Sequence, residues 1–239
     1  MSTGQIHNIL QEHAGDFHPV VIFDPAKHCI ASIDLSKSNS TFDETVFTDT
    51  AVFSAYIHQQ LISQKAKYLI GGYNENRGMY SRSELFDKDL LPIGNQISEP
   101  RCIHLGTDIW SPAGTSVFAP LSGIVHSFAF NDNHGDYGAT IILEHQLDGM
   151  KFHSLYGHMS MSDLDSLEKG MPISQGQRFA HFGKPAENGN WPPHLHFQLI
   201  IDMENYEGDY PGVCTERGSQ AFLQNCPDPD LVLRLNRYI

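Results

Sequence analysis

The segment that most constrains this chain is Trp191-Pro192-Pro193-His194-Leu195-His196-Phe197-Gln198-Leu199-Ile200-Ile201. Two prolines open it, and apolar or aromatic residues with a short alternation follow, which reads as a strand. In a strand, side chains two apart share a face. His194 and His196 therefore point one way, and Leu195 and Phe197 point the other way into a core. Two imidazoles side by side are costly to bury unpaired. They suit metal binding, or one ligand set beside one catalytic base.

Upstream segments supply partners. They are His104-Leu105-Gly106-Thr107-Asp108 and Tyr156-Gly157-His158-Met159-Ser160. Zinc takes histidine nitrogen and carboxylate oxygen at four positions, one of which stays open when the site is catalytic. His104, Asp108 and His196 make three protein ligands. His158 and His194 are left as unligated imidazoles beside them.

Around this strand the texture is β. Residues 105–110, 117–119, 123–131, 139–145 and 152–158 read as short strands punctuated by glycine and proline. The expectation is a mainly β fold, an antiparallel sheet or sandwich, spanning 101–205. Residues 1–100 read as an α+β extension packing on that core, and 206–239 as a loop and a short C-terminal helix at 231–238. Within the extension, 18–23 and 29–35 read as strands. Residues 50–68 read as a helix with Val52, Phe53, Tyr56, Ile57, Leu61 and Ile62 on one stripe, capped by Asp49 or Thr50. The polar stretch after Gly71-Gly72 offers Tyr73, Arg77 and Arg82 as groups to recognise a substrate carboxylate, since arginine presents a planar fork of donors. Trp191 would shape the groove. Asn74, Glu75 or Asn76 is a candidate fourth ligand if the extension closes over the site.

The formal net charge of −13 argues against a nucleic-acid groove and against a cationic membrane-binding surface. No apolar run approaches the length of a membrane span. Cys29, Cys102, Cys214 and Cys226 form no C-x-x-C pair and read as reduced thiols. No secretory leader is visible, so the expected location is cytoplasmic, or periplasmic only if a leader has been removed.

The ordered set His104-x-x-x-Asp108, Tyr156-Gly157-His158, Gly170 to Gln177 and His194-x-His196-Phe197 resembles the lysostaphin/LytM-type zinc metallopeptidases. The intervening Pro112-Ala113-Gly114-Thr115, Ala119-Pro120 and Gly123-Ile124-Val125 fit the same pattern. The resemblance implies a duplicated hybrid motif fold, one zinc ion per chain on His104, Asp108 and His196, and His158 and His194 as catalytic histidines. It implies an endopeptidase acting on a peptide or small amide, of the kind that cuts peptidoglycan-derived peptides. The alternative is a non-catalytic or latent binding module of the same fold. The acidic charge, the lack of a visible leader and Asn188-Gly189-Asn190-Trp191-Pro192-Pro193 before the H-x-H strand depart from the wall hydrolases of that family.

Overall fold

The computed structural model describes residues 3–87 and 99–239. In chain order its elements are α1 (Thr3–Glu12), β1 (Ile30–Ile33), α2 (Glu44–Phe47), α3 (Thr50–Ser63) and β2 (Tyr68–Gly71). Then come β3 (Ile103–His104), β4 (Thr107–Trp110), β5 (Ser116–Phe118), β6 (Gly123–Asn131), β7 (Gly138–Leu147) and β8 (Met150–Met159). The last are β9 (Pro172–Ile173), β10 (Arg178–His181), β11 (His194–Ile200), β12 (Val213–Cys214), α4 (Ser219–Asn225) and α5 (Asp230–Leu233).

The fold is mainly β. Eight strands form one sheet in the order β1-β2-β4-β11-β8-β7-β6-β9, and β10-β5 and β12-β3 form two small pairs. The large sheet is antiparallel except where β1 runs parallel to β2. Segments on both sides of residue 100 are thus hydrogen-bonded into one sheet. Its centre, β4-β11-β8, holds the H-x-H segment between two antiparallel neighbours.

Each face of the sheet is covered. On one face Leu195 and Phe197 pack with Tyr156, Ile141, Val117, Val232 and with Ile6 and Leu10 of α1. On the other, an aromatic cluster gathers Phe53, Tyr80, Phe86, Trp110 and Trp191. A third cluster joins Leu155 and Ile200 to Tyr210, Cys214 and Cys226. Burying a side chain of this size stabilises by roughly 1.5–3 kcal/mol, and aromatic contacts add about 0.5–1.5 kcal/mol per pair.

Several local expectations change. Residues 18–23 form no strand. Val20 and Val21 are buried next to each other, and the backbone is strapped on by His18 N–H donating to Pro120 O and Phe118 N–H donating to Val20 O. Adjacent buried residues break the alternation a one-sided strand needs. α3 starts as expected, with the Asp49 carboxylate accepting from Ala51 and Val52 N–H. Its buried stripe is narrower, however: Phe53 and Ile57 are buried, whereas Val52 and Ile62 are exposed. The C-terminal helix is four residues, Asp230–Leu233, because Arg234 takes the left-handed conformation that ends it. A second helix, α4, forms within the stretch expected to be loop. No described helix is long and apolar enough to cross a membrane.

Candidate metal centre and cleft

The cross-strand register places the first two candidate ligands. Asp108 of β4 stands directly opposite His196 of β11, and Trp110 stands opposite His194. The Trp110 and His194 rings stack with centroids 3.9 Å apart and planes 16° apart, which fixes the imidazole against an apolar wall. β3 delivers His104 across the face of the sheet, and Gly106 permits the approach. A Cβ on Gly106 would lie 2.5 Å from the His196 ring atoms Cε1 and Nε2. No larger residue fits there without displacing that ring.

His158 reaches the same place by a different device. The β7–β8 register jumps from Ala139 opposite Met159 to Ile141 opposite Tyr156, so Gly157 and His158 share one partner position. This is a β-bulge, and His158 sits in it at φ 65°. Tyr156 faces the first core, so regular alternation would put His158 there too. The bulge turns it instead onto the face of the H-x-H histidines, its ring centroid 4.1 Å from that of His194.

Three ligand atoms converge. His104 Nε2 lies 2.9 Å from His196 Nδ1, and each lies 3.2 Å from Asp108 Oδ1. Among the described residues this is the one group of histidine, cysteine and acidic side chains with metal-ligand spacing. Neighbours settle which nitrogens face inward. His104 Nδ1–H donates to Gly72 O at 2.9 Å, which leaves Nε2 with a lone pair. His196 Nε2–H donates to Gln198 Oε1 at 2.9 Å, which leaves Nδ1 with a lone pair. The Gln198 amide is itself oriented, because its NH₂ donates to Pro211 O at 3.1 Å. The inward oxygen of Asp108 is singled out too, since Oδ2 is taken by Arg77 Nη1 at 2.5 Å.

Two imidazole lone pairs and a carboxylate oxygen therefore face one another at about 3 Å with no hydrogen between the nitrogens. Such a set repels itself unless a cation sits at its centre. Four-coordinate zinc at 2.0–2.1 Å from nitrogen and oxygen requires donors about 3.3 Å apart. The triangle fits that ion with a small expansion. Hydrogen-bonded outer partners on every ligand are the usual support of such a centre.

The electrostatics agree. Burial first, and then the neighbouring Arg77 charge, push His104 down to about 4. Burial alone would raise Asp108, but His104 and Arg77 outweigh it and hold the carboxyl well below its usual range. His194 is lowered to about 4, chiefly by burial, with Asp108 opposing. Burial and the neighbouring His194 and His196 lower His158 well below its usual value. The two unligated imidazoles are neutral near pH 7. His158 Nδ1–H donates to Asn188 O at 2.9 Å and His194 Nδ1–H donates to Pro192 O at 2.7 Å, so each presents an unprotonated Nε2.

All five groups are 1–5% exposed and open onto one cleft of about 190 Å³. Its walls include Tyr80 and Phe86 from one side and Tyr206 and Asp209 from the other. Trp191 lines it, with its indole N–H on Asp136 O. The other three residues read as substrate contacts lie elsewhere. Arg77 is 1% exposed and spans Glu75 and Asp108, so its guanidinium is taken up by the chain's own carboxylates, and it does not line the cleft. The Tyr73 hydroxyl donates to Cys226 O, and its ring lines a separate cavity behind the centre. Arg82 lies over the Trp191 ring and donates to Thr50 and Asn190 oxygens, bracing the loop that carries Trp191. Of the candidate fourth ligands, Glu75 has its carboxylate on Arg77 and on Leu35 N–H, outside the cluster.

Sequence reasoning missed Gln198, although it shares the face of His194 and His196 by simple alternation. It also missed the Gly72 carbonyl, Arg101 in the cleft wall and Tyr137, whose hydroxyl is 3.4 Å from His196 Nε2. Those three had no local signal.

The sequence profile of peptidase family M23 matches residues 102–207. This segment belongs to peptidase family M23. The M23 segment contains all five histidine and aspartate residues of the centre, whereas Gly72 and Arg77 lie outside it. No curated protein matches the chain. Among solved structures it is similar to a zinc-containing peptidase from Vibrio cholerae, with 24% identity over 48% of this chain and 31% of that one, at a TM-score of 0.33. It is similar to the catalytic domain of lysostaphin from Staphylococcus simulans, with 18% identity, 71% and 96% covered, and a TM-score of 0.37. A third is the catalytic domain of the prophage-encoded M23 protein EnpA from Enterococcus faecalis, with 21% identity, 53% and 88% covered, and a TM-score of 0.35. The chain spans about a third of the length of the Vibrio structure.

Proposed function

We propose that the chain is a zinc-dependent peptidase acting on short peptides or small amides, peptidoglycan-derived peptides among them. The observation that carries this reading is the triangle of His104 Nε2, Asp108 Oδ1 and His196 Nδ1, with both imidazole protons directed outward. When bound, zinc supplies Lewis acidity toward a substrate carbonyl and lowers the pKa of water. The chain's own residues supply the rest. His158 and His194 hold unprotonated Nε2 atoms beside the ligand set, held in orientation by Asn188 O and Pro192 O. One accepts the proton of the attacking water, and the other attends the developing oxyanion or the leaving amine. With all five groups only 1–5% exposed, their contact with bulk water is limited to the cleft.

The test separates binding from chemistry. His104→Ala, Asp108→Ala and His196→Ala should each lose zinc in a metal assay. His158→Ala and His194→Ala should keep one zinc per chain and lose chelator-sensitive cleavage of glycine- or D-alanine-containing peptides, followed by mass spectrometry. Full zinc retention by His196→Ala would overturn the ligand assignment. A zinc-loaded chain that cuts none of these peptides would overturn the activity.

A further inference from the structure

Resting on the peptidase reading, the structure assigns Arg101 as the anchor for a substrate carboxylate. We infer that the cleft takes a short peptide carrying a free acid group close to the scissile bond. Arg101 lies three residues before His104 and lines the same cleft as the five metal-centre groups. Among the described residues its head is held by two neighbours in sequence, Leu85 and Phe86. Nη2 donates to Leu85 O, the guanidinium lies 5.0 Å over the Phe86 ring, and its backbone N–H donates to Phe86 O at 2.8 Å. Among the described residues it has no ion-pair partner, and its buried Nε has no acceptor. Arg77, by contrast, has two carboxylates.

A partly buried guanidinium with no carboxylate in direct contact among the described residues is costly: burial pulls its pKa down, and the more distant Asp136 and Asp209 offset this only in part. An incoming carboxylate supplies the missing partner, and arginine's planar fork can receive it through two parallel bonds. Asp136 and Asp209 line the same cleft without pairing to Arg101. They disfavour a carboxylate placed against them, so in this cleft the guanidinium is the group suited to receive one. The cleft holds about 190 Å³, room for the few substrate residues that flank the scissile bond.

The experiment uses the metal-free full chain, because zinc would take up a carboxylate on its own. Binding of N-acetyl-glycyl-glycine is compared with that of N-acetyl-glycyl-glycinamide by titration. The acid should bind about 10- to 100-fold more tightly, as charge-assisted hydrogen bonds do. Arg101→Gln should erase the difference and Arg101→Lys should keep part of it, with melting temperature read on each variant. If Arg101→Gln fails to fold, the acid–amide comparison on the unaltered chain and on Arg101→Lys still decides. Equal affinity for the two probes, including no measurable binding of either, overturns the anchor. So does the same preference persisting in Arg101→Gln. Tighter binding of the acid without hydrolysis of any peptide by the zinc-loaded chain sinks the peptidase reading and leaves the anchor. Hydrolysis of acid and amide peptides with equal kcat/KM does the reverse.

Discussion

Replacing Gln198 with leucine tests how the metal centre is wired. Gln198 is fully buried, with Oε1 2.9 Å from His196 Nε2 and its NH₂ 3.1 Å from Pro211 O. Leucine has similar bulk and offers no acceptor. Two costs follow. The His196 hydrogen bond is lost, at about 1 kcal/mol, and Pro211 O is left without that donor, at about 1–3 kcal/mol. The consequence for metal is separate. With only the more distant Tyr137 hydroxyl, 3.4 Å away, left beside Nε2, the imidazole proton is freer to move to Nδ1, where Asp108 Oδ1 lies 3.2 Å away and can accept it. An ion must then displace that proton. Loss of an outer hydrogen-bond partner of a ligating histidine weakens metal binding by about 10- to 100-fold. That corresponds to about 1.4–2.7 kcal/mol. Competition against a chromophoric chelator at fixed pH measures it, and circular dichroism of the metal-free variant checks the fold. Gln198→Glu restores an acceptor toward His196 but sets a carboxylate oxygen against Pro211 O. It should therefore recover zinc affinity while lowering the melting temperature. Unchanged zinc affinity in a folded Gln198→Leu protein would refute the assigned tautomer and the role of Nδ1 as ligand.

Gly106→Ala should fold poorly or lose zinc, because its Cβ would sit 2.5 Å from the His196 ring and 2.8 Å from Phe197 O; zinc content by atomic absorption reads it. Arg77→Met should lower the stability of the metal-free chain by about 3–5 kcal/mol, since it leaves the buried Asp108 carboxylate uncompensated, and urea unfolding measures the change. Acid should begin to destabilise the chain before its carboxylates titrate. His145, bonded to Ser122 O and the Ser154 hydroxyl, and His153 are both pushed down to about 4, chiefly by burial. Below the ordinary histidine value of about 6.5 the unfolded chain binds protons that the folded chain refuses, so stability falls as pH drops from there toward 4. For His145 the loss over the full window is on the order of 3 kcal/mol. A melting temperature flat between pH 7 and 4.5 would contradict it.

How much of this could be read in advance depends on the range of each interaction. The strand at 194–200, the shared face of His194 and His196 and the mainly β character follow from a period of two, which is local. So does the Asp49 cap of α3, because a carboxylate bonds its own next turn. The same alternation places Gln198 on the face of His194 and His196. Arg77 looked like a substrate contact because its fork suits any carboxylate. Only the pairing of β2 with β4 shows that the carboxylate is Asp108, 31 residues away.

The bulge at His158 was equally out of reach, since it is a mismatch in register between two strands and belongs to neither sequence alone. By itself, then, the sequence determined the candidate histidines and aspartate, their order and the strand alternation that turns two of them the same way. The tertiary structure decided which nitrogen of each histidine faces the centre, what holds the aspartate and which arginine enters the cleft. The physical reason is that side-chain direction follows from backbone geometry a few residues long. Proton placement and charge pairing depend on neighbours that only the assembled sheet brings within hydrogen-bond reach.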